Sequence, residues 1–405
     1  MINSIIDNNV LIKQRERRNN RISHFDELIN LSPFEDKVNY AKAKIKDFFL
    51  SLDSLENIND GYEIIVAFSG GKDSTVLLDL VCKTYNELIK NKIIQKQFFI
   101  VPGYAYEITF PETIKFVHDC AKYYRDTYSF VKEVLFVKPK LSWYEILTTK
   151  GYPIFSKQQS VLLNRIKKCK TKNGLTSWIF KMNTSRYGMS YNRLFFLDDK
   201  MQDWSFALNK LSDKQKEYFN YDKFLNKNCK IFYSEKCCDN IKGGLKHIKN
   251  ACFIGVMASE SDLRKNSWIK YGCNIINNKK MVSRPLSIWK SVDVWKYILK
   301  NDLDINIKYG LISASDKSDL NKVINQFPRV NTNDINQQLN YKLNQILKYK
   351  RLGCISCPYG CHIEQQKNKD NNKKHRFSVL YNESINLYKA HVINTGMFKV
   401  LIDMG

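Results

Sequence analysis

Residues 63–74 read Glu63-Ile64-Ile65-Val66-Ala67-Phe68-Ser69-Gly70-Gly71-Lys72-Asp73-Ser74. The first six form a short apolar run of strand type, and the run is closed by a turn with two adjacent glycines. From 74 to 85 the apolar residues recur at helical spacing. Strand, turn and helix thus follow without a gap, which is the order a phosphate site needs. Two glycines let the backbone approach an anion with no Cβ in the way. The helix start aims free N–H groups and its positive end at the same point. Ser69 and Ser74 add hydroxyl donors, Lys72 adds charge, and Asp73 either caps the helix or helps to orient a phosphate bound to a metal such as Mg²⁺. The stretch does not have the Gly-x-x-x-x-Gly-Lys-Ser/Thr form of a Walker A loop, because Lys72 is followed by Asp73 and no upstream glycine stands at the required offset.

Working outward, a second strand is expected at 98–101, a helix from Phe110-Pro111-Glu112-Thr113 to about 124, and a third strand at 134–137. The pattern returns at Cys252-Phe253-Ile254-Gly255-Val256 and continues to a helix at 292–299. Strand and helix alternating in this way predict a parallel sheet flanked by helices, an α/β fold of Rossmann-like type. Five segments are expected. They are a basic helical N-terminal extension (1–55), the first part of the nucleotide-binding core (56–150), a basic and aromatic insertion (151–230), the second part of the core (231–312) and a Cys-rich C-terminal region (313–405). The extension is amphipathic over 34–52, as a solvated helix or a nucleic-acid arm can be.

The chain has 405 residues, 65 Lys and Arg against 40 Asp and Glu, and a formal charge of +25. Clustered cations release the counterions condensed on nucleic-acid phosphates, so a nucleic acid is a candidate partner of the basic surface. Abundant Lys, Asn and Ile also fit an AT-rich coding bias, which supplies charge without a partner. No stretch approaches the roughly 20 apolar residues of a membrane span, and 1–18 lack the apolar run of a signal peptide. A cytoplasmic protein with no membrane partner is expected. In a reducing compartment the 11 cysteines are not a disulfide framework. Cys82, Cys120, Cys169, Cys229, Cys252 and Cys273 read as small buried residues. Cys237-Cys238 and Cys354-Ile355-Ser356-Cys357 share the soft thiolate chemistry that iron–sulfur clusters and zinc select, and adjacent cysteines suit ordinary zinc ribbons poorly.

The form Ser-Gly-Gly-x-Asp-Ser at 69–74 resembles the PP-loop of the ATP pyrophosphatase superfamily. Further segments resemble the phosphoadenosine phosphosulfate (PAPS) reductase family within it. They are Phe110-Pro111-Glu112-Thr113, Cys237-Cys238 followed by Lys242, Gly255 with Ser261 and Arg264, and Pro285-Leu286-Ser287-Ile288-Trp289 followed by Asp293-Val294-Trp295. The match runs over about 60–360, outside the insertion at 151–230. It implies a substrate of ATP or an adenylyl sulfate, bound by Ser69 to Ser74 with Gly255, Ser261 and Arg264. Lys72, Asp73 and Arg264 would be the catalytic groups. It also implies a [4Fe–4S] cluster on Cys237, Cys238, Cys354 and Cys357, with zinc as the alternative, and a sulfur or electron donor protein as partner. Arg264 and Lys265 are expected to open or precede a polar loop that binds phosphate, or to be a solvated pair, and Glu112 to be either a helix start or a substrate contact.

Three departures separate the chain from ordinary sulfonucleotide reductases. No cysteine follows Cys361, so the C-terminal nucleophile is absent. Met257 and Ala258 stand where the family carries arginines, and the Asp-Thr-Gly ahead of Phe-Pro-Glu-Thr is missing. The resemblance is therefore to a divergent branch, phage-type or similar to DNA-phosphorothioation enzymes. Action at the α-phosphate is the leading expectation. Sulfite-forming reduction and non-catalytic nucleotide sensing on DNA are the alternatives.

Overall fold

The computed structural model describes residues 22–105, 109, 111–151, 153, 157, 160–161, 234–241, 245, 250–277 and 280–306. These fall into two compact units. One holds the described residues up to 105, those from 109 to 137 and those from 245; the other holds those from 138 to 241.

In the first unit, α1 (Phe34–Asp53) is followed by β1 (Tyr62–Ala67), α2 (Lys72–Lys90), β2 (Phe98–Ala105), α3 (Pro111–Thr127) and β3 (Leu135–Val137). The second unit contributes α4 (Trp143–Lys150) and α5 (Lys236–Ile241). The first unit then resumes with β4 (Cys252–Ile254), α6 (Asp262–Tyr271), β5 (Asn274–Asn277), β6 (Lys280–Ser283) and α7 (Ser291–Lys300). The six strands lie in the order β3-β2-β1-β4-β6-β5. All neighbours are parallel except the edge pair β5 and β6, which forms an antiparallel hairpin. Ile64, Ile65 and Val66 are all buried, as a central parallel strand covered on both faces requires.

The amphipathic N-terminal segment is helical as expected, and it is part of the core rather than a solvated arm. Ala41, Ile45, Phe48, Phe49 and Leu52 recur at helical spacing and are fully buried. The Phe48 ring lies 4.9 Å from Phe253 of β4, and Phe49 stacks 4.6 Å from Tyr85 of α2. Burying two phenylalanines contributes about 3–6 kcal/mol, a large fraction of a domain's net stability.

The first turn of α2 is aimed by a buried polar cluster lower on the same helix. The Asp79 carboxylate accepts hydrogen bonds from Tyr124 of α3 at 2.9 Å and Tyr297 of α7 at 2.7 Å, and pairs with Lys83 at 2.9 Å. Burial, reinforced by that carboxylate, raises both phenol pKa values far above the usual tyrosine range, so the hydroxyls stay protonated as donors. Three helices are thereby fixed to one carboxylate.

Candidate functional site

In a doubly wound sheet, ligands bind at the carboxyl edge where the strand order reverses. Here the chain moves from β1 to β2 on one side, while β4 pairs with β1 on the other. Ala67 and Ile254 are paired at the carboxyl ends of these two strands, so the loops after β1 and β4 leave the sheet side by side.

The loop after β1 is pinned at its start by the Phe68 N–H, which donates to the Gly103 carbonyl at 2.8 Å. Gly70 has φ +70°, a conformation L side chains rarely adopt, and a Cβ there would stand 2.9 Å from Val117 Cγ2 of α3. The Ser74 hydroxyl donates to the Gly71 carbonyl at 2.8 Å and accepts the Ser69 N–H at 3.2 Å. These bonds close the turn on itself. Gly71 is the N-cap, and the Thr75 N–H makes the bond back to its carbonyl at 2.9 Å. The N–H groups of Lys72, Asp73 and Ser74 thus belong to the first turn, where an α-helix offers its donors outward. Asp73 does not cap the helix. Its carboxylate pairs with Lys72 Nζ at 2.6 Å, and the Lys72 side chain is only 10% exposed.

Gly255 follows β4, and its role is visible in its surroundings. A Cβ there would stand 3.2 Å from the Asp73 carbonyl oxygen and 3.6 Å from Ser74 Cα. This glycine lets β4 approach the first turn of α2, so it shapes that turn through packing. Gly255→Val should displace that turn and weaken nucleotide binding by about 10-fold or more, at about 1–3 kcal/mol in stability. Calorimetric titration beside thermal unfolding checks both effects.

The segment expected to be a polar loop at Arg264 and Lys265 is instead the first turn of α6. Ser261 is its N-cap, and its side chain accepts the Arg264 N–H. Arg264 pairs with Glu260, and Lys265 pairs with Asp26 at 2.8 Å. The start of α6 was legible in Ser261-Asp262, a capping residue followed by an acidic first-turn residue. Met257 and Ala258 are both 3% exposed and belong to the core.

Residues outside the expected site hold the turn before Arg264. The Ala258 N–H donates to the Ser287 carbonyl at 2.8 Å, and the Ser259 hydroxyl donates to the Trp289 carbonyl at 3.0 Å. The Trp289 indole N–H in turn reaches the Lys37 carbonyl of α1 at 3.1 Å. The Pro-Leu-Ser-Ile-Trp segment therefore braces the turn after β4. Glu112 lies in the first turn of α3, the helix whose Val117 meets Gly70.

In the second unit, Cys237 is buried and Cys238 half-buried, and they are consecutive in α5. The Ser234 hydroxyl donates to the Lys150 carbonyl at the end of α4. Neither thiol is in a disulfide, which leaves the soft ligand chemistry of the pair intact. Cys354, Cys357, Cys361, His362 and Lys242 lie outside the described residues, as do Cys169, Cys229 and most of the basic insertion. Among the described residues, no group of three or more His, Cys, Asp and Glu is placed to hold a metal ion. Cys82 and Cys273 are buried as expected, while Cys120 and Cys252 are half-buried. Burial, with lesser contributions from Asp304 and Asp79, pushes the Cys120 thiol up to about 12.

A family model described as phosphoadenosine phosphosulfate reductase domain matches residues 63–359. The chain belongs to this family. The PAPS reductase domain begins in β1 and takes in the glycine turn, Cys237-Cys238, the turn from Gly255 to Arg264 and Cys354 to Cys357. Among solved structures, this PAPS reductase domain protein is similar to a phosphoadenylyl-sulfate (PAPS) reductase from Candida auris in a phosphate complex. Identity is 14%, the TM-score is 0.28, and the match covers 71% of this chain and 87% of that one. It is also similar to a U34-tRNA thiolase from Methanococcus maripaludis with its [4Fe-4S] cluster. There identity is 12%, the TM-score is 0.27, and coverage is 84% of this chain and 90% of that one. No curated protein matches the sequence. Among the described residues, no helix is long and apolar enough to cross a membrane.

Proposed function

We propose that this PAPS reductase-family chain is an enzyme that binds an adenine nucleotide at the first turn of α2 and acts at its α-phosphate. One observation carries the reading: the closed Ser69-to-Ser74 turn, at the reversal point of the sheet, presents the N–H groups of Lys72, Asp73 and Ser74 beside a buried ammonium. Backbone donors and a helix's positive end stabilise charge that develops on a phosphoryl oxygen during displacement. Lys72 contributes its charge at the same place. Released from Lys72 by an incoming phosphate, the Asp73 carboxylate is free to orient a phosphate-bound Mg²⁺. Arg264, at the start of α6 beyond β4, is the remaining cation we assign to the site.

Cys237 and Cys238, with Cys354 and Cys357, are the residues that would hold a [4Fe–4S] cluster. Two adjacent thiols in one helical turn fit a cluster better than a tetrahedral zinc ribbon, whose ligands are usually spaced by two to four residues. Such a group supplies sulfur or electron chemistry, or tunes substrate binding electrostatically. A partner protein that donates sulfur or electrons, and contact with a nucleic acid through the basic surface, belong to the same reading.

Two measurements test it. Incubated with ATP, the full chain should release pyrophosphate and leave AMP or an adenylylated product. Release of orthophosphate with ADP would place the reaction at the wrong bond. Steep salt-dependent DNA binding without any nucleotide cleavage would identify a sensor instead. Anaerobic purification followed by iron, sulfide and zinc analysis should find iron and acid-labile sulfide, and stoichiometric zinc in a colourless protein would remove the cluster.

A further inference from the structure

Behind the glycine turn stands a hydroxyl that the free protein does not use. Thr113 lies in the first turn of α3 and is 1% exposed. Its Oγ1 is buried and makes no hydrogen bond among the described residues. A threonine in a helix can bond back to a carbonyl three or four residues earlier, and Thr113 does not. An orphaned buried hydroxyl costs free energy, and buried polar groups in folded proteins are nearly always partnered. Its surroundings show which partner is in reach. A Cβ on Gly70 would stand 3.5 Å from Thr113 Cγ2, 3.5 Å from Phe116 Cδ1 and 2.9 Å from Val117 Cγ2. The first turns of α3 therefore pack against Gly70, with the Thr113 methyl beside it. Its oxygen is closed to solvent, so the neighbour within reach is the backbone of Ser69 to Gly71 rather than a ligand.

That backbone is held by bonds a phosphate would compete for. The Ser69 N–H is given to the Ser74 hydroxyl, and Lys72 Nζ to the Asp73 carboxylate. Phosphate oxygens accept from the same N–H and ammonium donors. We propose that Thr113 is a positioning residue whose hydroxyl bonds to the Ser69–Gly71 backbone only when bound phosphates have replaced those internal bonds, and so holds the turn in its nucleotide-bound form. The proposal rests on the reading that phosphates sit at the first turn of α2. A bond absent from the free protein adds nothing to its stability, and the same bond made on binding adds to affinity. The hydroxyl and the methyl of Thr113 thus have separable effects. The hydroxyl acts on binding, and the methyl, through its packing beside Gly70, acts on folding.

Calorimetric titration of the full chain with α,β-methylene-ATP, beside thermal unfolding without nucleotide, tests the proposal in wild type, Thr113→Val, Thr113→Ser and Lys72→Met. Thr113→Val, which keeps the shape and removes the hydroxyl, should bind about 3- to 10-fold more weakly with an unfolding midpoint at or above that of wild type. Thr113→Ser, which keeps the hydroxyl and removes the methyl, should bind within about 2-fold of wild type and unfold at a lower temperature. Unchanged affinity in Thr113→Val would overturn the proposal. So would a lowered midpoint in Thr113→Val, which would mean that the hydroxyl is already bonded in the free protein, or a loss of affinity in Thr113→Ser as large as in Thr113→Val. In each of these cases, weaker binding by Lys72→Met would leave the α2 site standing. If wild type does not bind the nucleotide, or if Lys72→Met binds it as wild type does, the α2 reading falls and takes the proposal with it.

Discussion

Lys72→Met should lower affinity for an ATP analogue about 10- to 100-fold while leaving the unfolding midpoint close to that of wild type. The expected loss is that of one charge-assisted hydrogen bond to phosphate, about 1.5–3 kcal/mol. The small effect on stability follows from what Lys72 leaves behind. Its partner is the Asp73 carboxylate, whose side chain remains 24% exposed and sits in the first turn of α2. Water and the helix's positive end both favour that charge when the ammonium is gone. Calorimetry for binding and thermal unfolding for stability separate the two effects. A large stability loss with unchanged affinity would mean that Lys72 is a structural residue.

Lys37→Met should behave in the opposite way, destabilising the first unit by about 3–5 kcal/mol. The Lys37 ammonium is 5% exposed, donates to the Ile29 carbonyl at 2.9 Å and pairs with Asp293 Oδ2 at 2.9 Å, whose side chain is 6% exposed. Removing the ammonium leaves a buried carboxylate without its counter-charge, held by the Lys290 N–H at 2.7 Å. Adding Asp293→Leu should recover much of the loss, because an uncompensated buried charge costs more than an absent pair. Denaturant unfolding of the single and double variants checks this. The same contact bears on the site, since α1 holds Trp289, and Trp289 holds the turn that leads to Arg264. Lys37→Met should therefore also weaken nucleotide binding, through the brace and without any contact to ligand.

The contrast between these two lysines shows what could be read from the sequence. Lys72 is legible because the strand, two glycines and helix form one continuous local signal. Lys37 is not, since lysines are seldom buried and its partner stands 256 positions away. The amphipathic pattern of α1 marked a buried face, but periodicity does not say what covers it. Gly255 could be placed beside the site by its motif, while its reason, the close approach to the Asp73 carbonyl, needed coordinates. The β5 and β6 hairpin carries no clear sequence signal, because each strand is only four residues long, too short for alternation to stand out. Arg264 is marked by the family resemblance, but its pairing with Glu260 depends on α6 beginning at Asp262. Motifs named the residues, and the sheet topology explains why the loops of β1 and β4 meet.

On this reading the phosphates of an adenine nucleotide rest on the first turn of α2. A crystal structure of the chain with α,β-methylene-ATP and Mg²⁺ tests it most directly. We expect phosphate oxygens within hydrogen-bonding distance of the Lys72, Asp73 and Ser74 N–H groups, with Lys72 Nζ moved from Asp73 to phosphate. Phosphates bound elsewhere, with the Lys72–Asp73 pair intact and the turn empty, would contradict the account.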